Sequence, residues 1–203
     1  MNIYVIIGGS CAGKSSFVRN SFIRDVRKED IIERKDLMLL CETPTTILIG
    51  TYLVDESSND IKVLRRVGSD RILRSDINNV VEQVERLIPL GKDIVLEGDR
   101  ITSHAIFDGL LTLGVEIHLF LIECSIESTI KRNEANNSTC NPSTLKRVRT
   151  KANNIFSEYK DRMNGVIINT DKFTYPNDFA RYDIHNYREY DIASSYGLFE
   201  FEN

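Results

Sequence analysis

The sequence predicts an α/β fold, a mostly parallel sheet with helices on both faces, and three observations lead there. Short apolar runs read as strands at Asn2–Ile7, Asp93–Glu97, Val115–Ile122 and Val166–Asn169. Segments of helical periodicity separate them, so strands and helices alternate along the chain. The passage Gly8-Gly9-Ser10-Cys11-Ala12-Gly13-Lys14-Ser15 lies at the switch from the first strand to the first helix. Right-handed crossovers would bring the carboxyl ends of the strands to one edge, where ligands bind.

The first strand is apolar throughout, as a strand buried on both faces should be. The loop after it has the spacing Gly, four residues, Gly-Lys-Ser, which is that of a phosphate-binding loop of the Walker A type. Glycines let the backbone turn tightly enough for several N–H groups to face a polyphosphate. Gly8, Gly9, Ser10, Cys11, Ala12, Gly13, Lys14, Ser15 and Ser16 are therefore the expected nucleotide contacts. Lys14 would place a charge on the β- and γ-phosphates, and the Ser15 hydroxyl would ligate Mg²⁺. A helix from Lys14 to about Arg24 would turn its N-terminus toward the anion. With this loop the expected architecture is a three-layer αβα P-loop NTPase fold, and the expected cofactors are ATP and Mg²⁺.

Residues 24–33 are densely charged and read as a solvated connection or helix end. Leu37–Cys41 and Thr46–Leu53 are apolar enough for two strands, and Pro44 prevents one continuous strand. Val54–Asn59 reads as a loop or hairpin turn, and the basic groups of 61–71 surround a glycine turn at Gly68. Ser75 can cap a helix to about Leu90, with Val80, Val84, Leu87 and Ile88 at helical spacing and Pro89-Leu90-Gly91 closing it. After the strand Asp93–Glu97, Ser103 opens a helix to about Leu113 that Gly114 stops. Ser125 starts the helix carrying Glu127, Lys131 and Arg132, and residues 133–143 form a polar loop. Ser143 to about Met163 is helical, with Leu145, Val148, Ala152, Ile155, Phe156 and Tyr159 as its apolar stripe. Residues 171–203 read as a C-terminal extension packed on a single domain spanning 1–203.

Composition sets bounds on function. With 203 residues, 41% apolar and 28% charged, the chain suits one α/β domain. A formal charge of -4 argues against a protein that coats nucleic acid non-specifically, while leaving room for a local basic groove. Cys11, Cys41, Cys124 and Cys140 lack paired metal-ligand spacing, which argues against zinc, and Cys11 in the loop and Cys124 at a strand end read as reduced thiols of a cytoplasmic protein. No apolar stretch approaches membrane-spanning length, and the first residues lead straight into the loop rather than reading as a signal peptide. His104, His118 and His185 are scattered and read as structural.

Three further groups carry chemistry. Glu97 and Asp99 end a hydrophobic strand where a Mg²⁺-organising or proton-accepting carboxylate belongs, although either could simply cap the next helix. Arg100 beside them could hold an acceptor phosphate or form a surface ion pair. Arg66, Arg71 and Arg74 form a local phosphate-binding patch around Asp70, which could reach the acceptor; a surface charge cluster is the alternative. Lys131, Arg132, Lys146, Arg147, Arg149 and Lys151 lie on two helices joined by the polar loop, so that 131–151 reads as a lid. Arg132 and Arg147 are its candidates for the transferred phosphoryl group. Residues 147 and 151 share a helix face while 149 points elsewhere, and a solvated basic helix is the alternative.

Together these elements resemble the small P-loop kinases of the nucleotide and polynucleotide kinase type. More narrowly, Ile49-Gly50-Thr51-Tyr52, Arg66-Val67-Gly68-Ser69-Asp70, Leu96-Glu97-Gly98-Asp99-Arg100 and Arg149-Thr150-Lys151 are similar to segments of bacteriophage 5-hydroxymethyluracil DNA kinases. The likeness spans about residues 3–170. It implies phosphoryl transfer from ATP to the hydroxymethyl group of a modified pyrimidine in DNA. Lys14 and Ser15 would lie on ATP-Mg²⁺, Asp70 near the acceptor, and Glu97, Asp99 and Arg100 in the cleft. Glu97 would join Ser15 as a metal residue. The net negative charge keeps a free nucleotide as an alternative acceptor, and a DNA 5′-hydroxyl kinase or a non-catalytic nucleotide-binding module as alternative functions.

Overall fold

A computed structural model describes residues 1–23, 25–50, 52, 74–135 and 140–172. Its centre is β1 (Ile3–Gly8), whose six residues are all buried. β1 pairs in parallel with β5 (Asp93–Glu97) on one side and with β6 (Ile117–Glu123) on the other. Beyond them lie β4 (Thr46–Ile49), parallel to β5, and β7 (Val166–Asn169), parallel to β6. Two antiparallel strands, β3 (Leu39–Glu42) and β2 (Ile32–Lys35), complete a seven-stranded sheet of order β2-β3-β4-β5-β1-β6-β7. β1 is apolar along its whole length, and β4, β5 and β6 have apolar middles, because both faces of the sheet are covered there.

The period of two along β1 divides the core. Ile3, Val5 and Ile7 face Val80, Val84 and Leu87 of α2 (Val80–Leu87), Phe107 and Leu110 of α3 (His104–Leu111), and Ala152, Ile155, Phe156 and Tyr159 of α5 (Pro142–Tyr159). Tyr4 and Ile6 face the other way, onto Phe17 and Val18 of α1 (Lys14–Val18), with Phe120, Ile122 and Ile168. Helices thus cover both faces, which is the three-layer αβα arrangement. Short 3₁₀ turns, Arg74–Asn79 and Ile88–Leu90, flank α2, and α4 (Ile126–Ala135) follows β6.

Several boundaries differ from the sequence reading. The charged run at 24–33 leads into an edge strand: Ile32–Lys35 is mostly exposed and therefore carries no apolar signal. Pairing with β3 defines it, and Arg34 reaches across to Glu42 at 2.7 Å. Lys92 donates to the same carboxylate at 2.8 Å, and that bond, with the one from Arg34, holds Glu42 below the usual carboxylate range. The first helix is α-helical only to Val18 and continues as a π-helical turn, Arg19–Ile23. α5 starts one residue earlier than expected, with Pro142 in its first turn and the Asn141 side chain accepting from the Thr144 N–H. It ends at Tyr159 rather than Met163. α4 runs to Ala135, so the expected loop 133–143 is partly helix.

The loop 54–59, the basic segment 61–71 and most of the extension 171–203 lie outside the described residues. Among the described residues no helix is long and apolar enough to cross a membrane. All four cysteines are free thiols.

Candidate active site

The parallel pairing of β1, β5 and β6 sets their carboxyl ends side by side, and the chain's chemistry gathers there. β1 delivers Gly8 opposite Ile122, with φ 150°. A Cβ at Gly8 would run into the Ile122 carbonyl oxygen, so no larger residue fits. Cys11 at φ 59° and Gly13 at φ 103° wind the loop through left-handed conformations, and the Ala12 N–H closes it on the Gly9 carbonyl at 3.3 Å. α1 then begins at Lys14, whose N–H and those of Ser15 and Ser16 have no intrahelical acceptor. Such a winding presents donors to an anion.

Lys14 Nζ folds back over this loop, donating to the carbonyls of Gly9 at 2.8 Å and Gly8 at 3.2 Å. The Ser15 hydroxyl donates to Glu97 Oε1 at 2.7 Å. Glu97 is 3% exposed at the end of β5, in register with Ile6 of β1, so strand pairing brings it to the loop. A hydroxyl beside a carboxylate, with oxygen as the only donor type, fits Mg²⁺, which takes one or two protein oxygens and fills its remaining positions with phosphate and water.

Asp99 follows at the half-exposed mouth of the site. Lys151 of α5 donates to its backbone carbonyl at 2.9 Å and to its Oδ1 at 3.2 Å. Arg100, half-buried, comes next. Arg132 of α4 spreads its guanidinium beneath the loop, donating to Thr170 Oγ1 at 2.8 Å, to the Thr170 carbonyl at 2.9 Å and to the Ala12 carbonyl at 3.3 Å. Thr170, fully buried just after β7, has its hydroxyl 2.8 Å from the Ala12 carbonyl and 3.0 Å from that of Glu123. Next to it, burial would raise the Asp171 carboxyl. Hydrogen bonds from Ser128 and Ser125, and the charge of Arg132, outweigh that and hold it low.

The basic residues of α5 divide between two places. Arg149 is half-buried, and its Cβ lies 3.5 Å from where a Cβ on Gly9 would stand. "Elsewhere" for residue 149 is thus the phosphate loop itself. Arg147 is exposed and lines a groove of about 580 Å³ with Lys151, Thr150, Ser103 and His104. Asp70, Arg66 and Arg71 lie outside the described residues; Arg74 opens the 3₁₀ turn before α2, and only its backbone is described.

Sequence reasoning missed two groups, Arg19 and Thr170. Arg19 sits four residues beyond Ser15, on the π-helical turn. Burial lowers the pKa of its guanidinium, while the charges of Glu97 and Tyr52 act to raise it, so it lies within electrostatic reach of the Ser15–Glu97 pair. The i+4 spacing from Ser15 was the available signal. Thr170 carried no local signal. Of the histidines, His118 stacks on Tyr4, His104 meets Glu158 at 2.9 Å, and His185 lies outside the described residues.

No protein-family model and no curated protein matches the chain. Among solved structures it is similar to deoxyadenosine kinase from M. mycoides, determined with its products dCMP and a flexible dCDP bound. The similarity covers 95% of this chain and 100% of that one, at 8% identity and a TM-score of 0.48.

Proposed function

We propose that the chain is an ATP-dependent kinase that phosphorylates the hydroxymethyl group of 5-hydroxymethyluracil in DNA. The observation that carries phosphoryl transfer is the Ser15–Glu97 contact at 2.7 Å, formed beside Lys14 at the end of the central strand. Bound Mg²⁺, held by Ser15 with Glu97 behind it, would neutralise charge on the β- and γ-phosphates. The loop N–H groups and Lys14 would hold those phosphates, Lys14 exchanging its two carbonyl contacts for phosphate oxygens. The acceptor oxygen attacks the γ-phosphorus in line, the bond to the β–γ bridging oxygen breaks, and ADP leaves. The acceptor proton passes to Asp70 or Asp99, and Lys151 holds Asp99 in place for that role. Arg132 contacts the loop through its carbonyls and would position it, and Arg149, which lies beside Gly9, would meet the phosphates if 131–151 closes as a lid.

The acceptor follows from the resemblance to phage hydroxymethyluracil kinases. In support, two of the motifs that carry it, Leu96–Arg100 and Arg149–Lys151, meet through the Lys151–Asp99 contact. In duplex DNA the base would have to be flipped out, at a cost of a few kcal/mol. The test offers γ-labelled ATP to DNA containing the modified base, ordinary DNA and free deoxynucleoside monophosphates, with Lys14→Ala as control. Label on the modified base alone, abolished in Lys14→Ala at unchanged melting temperature, is expected. Label only on a free monophosphate would move the protein to the nucleotide kinases, and label at DNA 5′ ends to the polynucleotide kinases. No label on any acceptor would leave a regulatory nucleotide-binding module.

A further inference from the structure

We infer that the groove between the start of α3 and the outer face of α5 is a second anion site, which grips a phosphate of the acceptor away from the transferred group. The inference rests on the kinase reading above and assigns to Arg147 a role on the acceptor rather than on the transferred phosphoryl group.

The groove has a volume of about 580 Å³, within the range that holds a nucleotide-sized ligand. Most of its wall is apolar, and the residues at its edge include Arg147, Lys151, Ser103, Thr150 and Asn154, whose side chains carry hydrogen-bond donors. None of the lining residues is acidic. Arg147 and Lys151 stand one helical turn apart, and so present their charges to the same space. Their states differ. Lys151 is committed to Asp99 at 3.2 Å, and His104 to Glu158 at 2.9 Å. Arg147 is exposed and forms no ion pair among the described residues, so the groove keeps an uncompensated planar fork suited to two phosphate oxygens.

Position makes this an acceptor site. Lys151 is shared: its ammonium reaches Asp99 in the candidate active site, while its residue lines the groove. The donor phosphates belong to the loop at Gly8–Ser15, against which Arg149 lies, so ATP is served from the other side of α5. A ligand with its reacting hydroxyl beside Asp99 and a phosphate a few ångströms further along would place that phosphate on Arg147. A phosphodiester of a DNA strand and the phosphate of a free nucleotide share this chemistry.

The experiment measures binding separately from transfer. Arg147→Ala and Arg147→Lys are compared with the native chain for a short fluorescein-labelled oligodeoxynucleotide containing 5-hydroxymethyluracil, for dTMP, for thymidine, and for a fluorescent non-hydrolysable ATP analogue. Arg147 is exposed, so both variants should fold, and melting curves check this. Arg147→Ala is expected to weaken oligonucleotide binding about tenfold and to reduce its salt slope by about one. Arg147→Lys should restore the slope, with thymidine and the ATP analogue unaffected. Loss confined to dTMP would support the phosphate site and assign it to a free nucleotide. Unchanged affinity for both phosphate-bearing probes would overturn the inference, as would an equal loss for the ATP analogue, which would return Arg147 to the donor. A native chain that binds these probes but transfers no label defeats the kinase reading instead, so the two failures are distinct.

Discussion

Replacing Thr170 with valine should loosen the phosphate loop from the far end of the sheet. The side chain is fully buried, and valine nearly matches its shape, so the change removes the hydroxyl without opening a cavity. Lost with it are the acceptor for Arg132 at 2.8 Å and a donor 2.8 Å from the Ala12 carbonyl. The Ala12 carbonyl keeps Arg132 at 3.3 Å, and Arg132 keeps the Thr170 carbonyl at 2.9 Å. A buried polar group stripped of a partner costs about 1–3 kcal/mol, and the remaining contacts place the loss at about 1–2. For a domain of this size that is a fall in Tm of about 3–6 °C. Because the loop carbonyl belongs to the proposed nucleotide site, affinity for an ATP analogue should fall severalfold. Circular dichroism melts and a fluorescent-nucleotide titration measure both effects, with Thr170→Ser restoring them. A valine variant with native Tm and native nucleotide affinity would refute the reasoning.

The segment 131–151 should gain hydrogen-exchange protection when a non-hydrolysable ATP analogue binds. Protection at 8–16 without any at 131–151 would leave it a static pair of helices rather than a lid. Alkaline pH should destabilise the fold. Burial pushes the Cys41 thiol from its ordinary 9.0 up to about 12, with Glu33 adding to the rise. Burial also lifts the Tyr159 hydroxyl from 10.0 to about 12, reinforced by its hydrogen bond to Asp108. Both groups stay neutral when folded and ionise earlier when unfolded. Their stabilisation is therefore complete below the unfolded values and is lost as pH climbs toward the folded ones. Urea midpoints that hold constant from neutrality to about pH 11 would contradict this.

Much of the molecule was legible in the chain because its signals are local. The spacing of Gly8, Gly13, Lys14 and Ser15 states a backbone requirement, and the apolar run Ile3–Gly8 with the apolar centre Ile94–Leu96 states burial on both faces. From these follow the mostly parallel sheet and the gathering of the loop and Glu97 at one edge; the central place of Ile3–Gly8 and the Ser15–Glu97 contact came from the strand pairing. The edge strand Ile32–Lys35 was not legible, since an exposed strand has no periodic signature and exists through its pairing with Leu39–Glu42. The basic helix was legible in composition and not in orientation. Its apolar stripe from Leu145 to Tyr159 announces which side is buried, while only packing against the sheet decides that Arg149 meets Gly9 and Arg147 opens onto a groove. Thr170 and Arg132 lie 38 positions apart and meet beneath the loop because β7 and α4 end there. Spacing along a chain encodes neighbours within one element; contacts between elements arise only when the sheet has set its strand ends side by side.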